Sequence, residues 1–181
     1  GLGDVYKRQE LFGRRAHKAR GAESAKRIEE LELIVRHLAF REFGTELGQD
    51  LSTQELALGV LRKCSARIAT LTAEWIRVGY VQSNFNSDNC LAGGRTMDYG
   101  PFGFMEKFMP LWNMWQNSGD HFGFLNQPTA GQKNFESLTT AVLPLLDADG
   151  RRVAAEIADA HEAAAEEAVM RVWQRKLGLK Q

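Results

Sequence analysis

With only two cysteines, Cys64 and Cys90, the chain cannot carry a disulfide framework, and no secretory signal is visible. That sets a reducing cytoplasmic compartment as the default, or a mitochondrial one for a eukaryotic source. Net charge is absent as well. Lys and Arg number 23 against 23 Asp and Glu, so no overall field draws the chain to nucleic acid or to a membrane surface. No apolar run approaches the ~18 residues of a spanning helix, and there is no internal repeat or low-complexity tract. What remains, at 181 residues and 44% apolar, is a soluble globular domain or a piece of a larger one, long enough to bury a core.

The chain has no initiating Met, and Gly1 to Gln9 shows no clear period before Glu10-Leu11-Phe12, which reads like a strand end. Asp4 to Gln9 resembles the in-frame translation of a sequencing-adapter end. Residues 1–9 are therefore set aside as a scar, and residues 10–181 are expected to be part of a longer protein.

Periodicity predicts helices over most of the rest. Ala22 to Phe43 places Ile28, Leu31, Ile34, Val35 and Leu38 on one face. Ser52 and Glu55 form a capping box that opens the next helix. Its stripe of Ala57, Leu61, Cys64, Ile68, Leu71 and Trp75 runs over about five turns and needs a covering partner. Cys64 lies on that stripe as a small hydrophobe. Val78 to Gln82 reads as extended, and Cys90 to Met97 as a hairpin with a Gly93-Gly94 turn. Gln132 to Leu146 and Arg151 to Leu179 read as two further helices, the last with a mainly solvated face. The fold class is α+β overall and mostly α here, with one small hairpin.

Chemistry gathers around that hairpin. The loop Asn84-Phe85-Asn86-Ser87-Asp88-Asn89 precedes it and Met97-Asp98-Tyr99-Gly100 follows it. Carboxylate and amide oxygens brought together are what a hard Mg²⁺ ion on nucleotide phosphates requires. Protein kinases use an Asn of the catalytic loop and the Asp of a D-F-G sequence in this way, and Asn89 and Asp98 would be that pair. Aligning the kinase loop H-x-D-x-x-x-x-N on Asn89 puts Gln82 at the His and Asn84 at the catalytic Asp. Both usual residues are missing, so the loop is of pseudokinase type, and Asp88 is the carboxylate available as a base. The same residues also make good turns, and that structural reading stays open beside the catalytic one.

From Ala73 to Leu146 the chain resembles the selenoprotein O family, kinase-fold protein adenylyltransferases. The resemblance is carried by E-W-I-R-V-G-Y, N-F-N-S-D-N, T-M-D-Y-G-P-F-G-F and G-D-H-F-G-F-L-N-Q-P, with the helix running on to L-P-L-L. It implies the C-terminal lobe of a protein-kinase-like fold and transfer of AMP from ATP to Ser, Thr or Tyr hydroxyls of proteins. Asp88 matches the proton acceptor, and Asn89 and Asp98 match the ligands of Mg²⁺ (or Mn²⁺), with Asp98 also touching ATP. Phosphoryl transfer, UMP transfer and a non-catalytic binding module are the alternatives. Gln82-Ser83 stands where many members carry His-Gly. The family's phosphate-binding lysine, its partner glutamate, the glycine-rich loop and the nucleotide-contacting arginines have no counterpart from Glu10 onward. This piece alone is therefore expected to have little or no activity.

Three other features read as structural. His121, in Gly-Asp-His-Phe-Gly, is expected to fix its loop by a hydrogen bond. The aromatics from Phe102 to Trp115 are expected to pack in the core, because Lys107 is the one basic residue among them. Arg14, Arg15, His17, Lys18 and Arg20 read as a solvated basic cluster.

Overall fold

The computed structural model describes residues 12, 24–44, 46–48, 50–97, 100–115 and 119–179. Residues 1–9, expected to be a scar, and the basic cluster of residues 14–20 lie outside the described residues. Four long helices among the described residues carry the fold: α1 (Ser24–Phe43), α2 (Thr53–Val78), α3 (Gln127–Val142) and α4 (Ala148–Leu177). Short 3₁₀ turns at Asp120–Phe122, Phe124–Asn126 and Leu143–Leu145 lead into and out of α3. No helix among the described residues is long and apolar enough to cross a membrane.

The central element is α2. Its capping box forms as the sequence predicts: Ser52 Oγ accepts from the Glu55 amide, and the Glu55 carboxylate accepts from the Ser52 amide at 2.9 Å. Gly79, at φ 74°, closes the helix in the left-handed conformation that a side chain would resist. All six residues of the predicted stripe are buried, Leu61, Cys64 and Ile68 completely. Covering them are Leu31, Val35 and Leu38 of α1 and Phe135, Leu138 and Val142 of α3. Full burial of a Leu, Ile or Phe side chain contributes about 1.5–3 kcal/mol, so this layer contributes substantially to stability.

Three boundaries and faces differ from expectation. Helix α3 begins at Gln127, five residues before the predicted Gln132, because Pro128 suits a first helical turn. Gly131 within it is a contact point: a Cβ there would stand 3.2 Å from Ile68 and Thr72 of α2. Helix α4 begins at Ala148, where the Asp147 carboxylate accepts from the Gly150 amide at 2.8 Å. Its buried face is largely alanine. Ala165, Ala168 and Val172 close on Ala69 and Ala73 of α2. The solvated reading of this helix therefore holds only for its outer face.

The sheet also differs from expectation. Among the described residues no strand ladder joins the two sides of the Gly93-Gly94 turn. The turn itself exists, with the Gly94 amide donating to Leu91 O at 2.9 Å, but the strands are β1 (Tyr80–Gln82) and β2 (Phe102–Phe104). They pair antiparallel with Tyr80 opposite Phe104 and Gln82 opposite Phe102. The glycine turn is instead wedged between helices. A Cβ on Gly94, at φ 65°, would lie 2.5–2.7 Å from Arg67, backbone included, and one on Gly93 would lie 2.6 Å from Glu42 Oε2. The buried Glu42 carboxylate pairs with Arg95 across this turn.

The aromatic segment after β2 is not core. Phe104 and Phe108 are more than 60% exposed, and Phe102, Met109, Leu111, Met114 and Trp115 are exposed as well. A two-stranded sheet buries one face only. Phe102 and Phe104 both rest on Tyr80, at ring separations of 5.6 and 5.5 Å, and their outer sides meet solvent.

Candidate functional site

The loop from Ser83 to Asn89 leaves the end of β1 and is held by groups from several separate segments, of which Trp75 and Asn134 are buried. Beneath it, the Phe85 ring is 1% exposed and meets Trp75 edge-on at 4.8 Å. From α3, Asn134 Nδ2 donates to Phe85 O at 2.9 Å. From the segment before β2, Pro101 O accepts from the Ser83 amide at 3.0 Å. Ser83 Oγ accepts from the Met114 amide at 3.1 Å. Within the loop, Asn86 Nδ2 donates to Asn84 Oδ1 at 2.8 Å, and Asn86 O accepts from the Asn89 amide at 3.0 Å.

Strand β1 is fixed on its other edge by a side chain. Gln127, fully buried, accepts from the Gln82 amide through Oε1 and donates through Nε2 to Tyr80 O, both at 2.9 Å. Its amide thus imitates a neighbouring strand. Gln82 is buried, and its side-chain oxygen accepts from the Tyr80 hydroxyl. Gln82 and Ser83 are packing residues here. Asn84 uses its main-chain and side-chain oxygens on the loop, accepting from Asn89 and Asn86.

Two groups in this loop are left over. Asn89 is 4% exposed, and its Nδ2 donates to Asn84 O at 2.9 Å. Because a carbonyl can only accept, that bond fixes the amide orientation and leaves Oδ1 as the buried atom without a partner. Its neighbour Asp88 is half-buried, and its carboxylate has no partner among the described residues. A buried amide oxygen without a partner is a hard-oxygen donor of the kind Mg²⁺ or Mn²⁺ takes, so Asn89 fits the implied ion, while the Asp88 carboxylate stays available as a base.

Asp98, the other expected ligand, lies outside the described residues. The chain returns to the loop at Gly100, φ 91°, where a Cβ would stand 3.9 Å from Asn89 Nδ2 and 4.0 Å from Asn84 Cβ. No cluster of three or more His, Cys, Asp or Glu occurs among the described residues.

His121 does not fix its loop. It is exposed, lies against the Phe122 ring at 4.2 Å, and makes no hydrogen bond among the described residues. Asn126 and Asn113 hold that loop instead, donating to Asp120 O at 2.7 Å and Gly119 O at 3.2 Å. Cys64 and Cys90 are fully buried, and burial pushes both thiols far up, so neither supplies a thiolate. Sequence reasoning missed Gln127 and Asn134. The available signal was an Asn at the helical spacing of Gly131, Leu138 and Val142, a polar residue on an apolar face.

The family model for "Protein adenylyltransferase SelO" matches residues 22–181. Curated relatives carry the name "Protein nucleotidyltransferase YdiU". The protein of Methylococcus capsulatus is 40% identical over 121 residues, covering 64% of this chain and 24% of the relative. That of Nitrosococcus oceani is 34% identical over 155 residues, covering 82% and 30%. That of Pseudarthrobacter chlorophenolicus is 30% identical over 135 residues, covering 74% and 28%. The chain thus spans less than a third of the length of these relatives.

Proposed function

Because the chain belongs to the protein adenylyltransferase SelO family, we propose that it is the C-terminal, mostly helical lobe of a kinase-like enzyme that transfers AMP from ATP to Ser, Thr or Tyr hydroxyls of other proteins. The observation that carries this is the pair of unspent groups in one rigid loop, the free Asp88 carboxylate and the orphaned, buried Asn89 Oδ1.

In this reading Asp88 takes the proton from the acceptor hydroxyl as its oxygen bonds to the α-phosphorus. The bond to pyrophosphate breaks, and the pyrophosphate leaves. Asn89 Oδ1 and Asp98 would hold Mg²⁺, with Asp98 also contacting ATP, and the bound ion would supply positive charge against the phosphate oxygens and the leaving group. The asparagine bonds around the loop keep Asp88 and Asn89 in register with each other, so little reorganisation is needed when substrates arrive.

The test uses the whole protein that contains this chain, with ATP labelled at the α- or γ-phosphate. Label from the α-position on protein is expected; γ-label would mean phosphorylation instead, and transfer from α-labelled UTP would mean uridylylation. Asp98→Ala should abolish incorporation, and near-normal labelling would refute its role. Asp88→Ala should leave ATP binding largely intact while slowing transfer by about 10²–10⁴-fold, the usual range for loss of a general base. Equal loss of binding and transfer would count against the base role.

A further inference from the structure

We propose that the cavity of about 480 Å³ between the Asn84–Asn89 loop and α3 binds an acidic side chain, best a glutamate, of the acceptor protein close to the hydroxyl being modified. The proposal rests on the nucleotidyl-transfer reading for its role, though its recognition chemistry is read from the cavity alone.

One wall of the cavity is Asn86 and Ser87, the two residues immediately before Asp88. The opposite wall is α3, which contributes Lys133 and Ser137. Lys133 is exposed and has no hydrogen bond or ion pair among the described residues. His121, exposed and equally without a hydrogen bond, lines the same space. Among the described lining residues there is no Asp or Glu, in a chain with as many acidic as basic residues. Phe85 and Phe122 supply apolar surface. The whole offers an apolar lining for methylenes, hydroxyls and one uncommitted ammonium for a terminal anion. Glutamate, with two methylenes before its carboxylate, matches that order of groups better than aspartate does.

Position makes this an acceptor site. An extended polypeptide advances about 3.3 Å per residue, so a cavity bordered by the two residues before Asp88 reads acceptor positions within about three residues of the hydroxyl. The rigid loop shared by both sites would couple them: the side chain seated against Ser87 sets how the neighbouring hydroxyl meets Asp88. A rim charge of this kind steers and selects more than it tightens, so preferences of several-fold are expected, weakening with salt.

The experiment measures binding of fluorescent peptides to the whole protein without nucleotide, by anisotropy at low salt. The probes carry one Ser flanked at two or three residues by Glu, or by Gln at the same places. Wild type should bind the Glu peptide about three- to tenfold more tightly. Lys133→Arg should keep that preference, and Lys133→Glu should erase or invert it with an unchanged circular-dichroism spectrum. Equal binding of the Glu and Gln peptides by wild type overturns the proposal, as does a Glu preference that survives Lys133→Glu. Displacement of both peptides alike by inorganic phosphate would assign the cavity to a free anion and overturn it too. Adenylyl transfer is scored separately with α-labelled ATP. A protein that shows the peptide preference but transfers no label refutes the enzymatic reading and leaves the acidic-peptide site standing.

Discussion

Between α2, α3 and α4 lies a histidine that should make stability fall as the solution is mildly acidified. His161 is 1% exposed, its Nδ1 is 2.9 Å from Ser65 Oγ, and its ring stacks on Phe135 at 4.8 Å. Its Nε2 is buried with no partner. Burial penalises the imidazolium and pushes the pKa from 6.5 down to about 4, against a weaker opposing pull from Glu136. The depressed folded value fixes the sign. Above pH 6.5 both folded and unfolded forms are neutral at this site, and its contribution is fully present. As pH falls from 6.5 towards 4 the unfolded chain binds a proton that the folded chain refuses, and stability is lost. A gap of about 2.5 units at 1.36 kcal/mol each bounds the loss near 3 kcal/mol, a large share of the ~5–15 kcal/mol typical of a domain. Carboxylates begin to protonate at the lower end, so the clean window is pH 7.5 to 5.5, where linkage gives about 1.3 kcal/mol from this residue. Urea unfolding followed by circular dichroism at both pH values, on wild type and His161→Leu, measures it. The variant should lose about 1.3 kcal/mol of the pH-dependent difference whatever its absolute stability. Equal slopes, or a His161 ring proton titrating near 6.5 by NMR, would refute the reasoning.

Two other perturbations follow from the scaffold of the site. Gly94→Ala places a methyl group 2.5 Å from Arg67 in a left-handed backbone, and should cost at least about 2 kcal/mol in denaturant unfolding; an unchanged midpoint would mean that the turn is free to move. Gln127→Ala removes a buried amide bonded to Gln82, Tyr80 and Phe124, leaving a donor and acceptors unpaired at about 1–3 kcal/mol each. Hydrogen exchange at the Gln82 amide should speed up sharply, and wild-type protection there would show that Gln127 does not hold the strand.

The helices were legible because their signals are local. The Ser52 and Glu55 cap and the stripe from Ala57 to Trp75 need no knowledge of what lies across from them. The pairing of β1 with β2 was not legible. Its partners are some twenty residues apart, and the nearer Gly93-Gly94 turn is the stronger short-range sign of a hairpin. Burial of α4 was hidden because its contacts with α2 are largely alanines, which give little amphipathic contrast. The exposure of Phe104 and Phe108 could not be read either, since composition tells that a side chain is apolar but not whether a layer covers it. At the site, Asp88 and Asn89 were readable as residue types in a polar loop. The feature that separates a binding loop from a turn was not, because it depends on Gln127 and Asn134 reaching in from a helix about forty-five residues away.

That dependence bears on the choice between a structural and a functional loop. If Asn84 to Asn89 were only a turn, its polar groups would be expected to bond one another and stop there. Asn84 and Asn86 do so, and Ser83 and Phe85 are bonded by neighbouring segments. Asn89 is built differently: its amino group is committed to Asn84 O, and that bond holds its carbonyl oxygen in a buried place where nothing in the described chain meets it. Leaving such an oxygen unpaired costs about 1–3 kcal/mol. The next residue upstream keeps a carboxylate equally uncommitted. A loop braced by four separate segments, yet holding one oxygen and one carboxylate in reserve, is better accounted for by a ligand that arrives than by a turn that is complete.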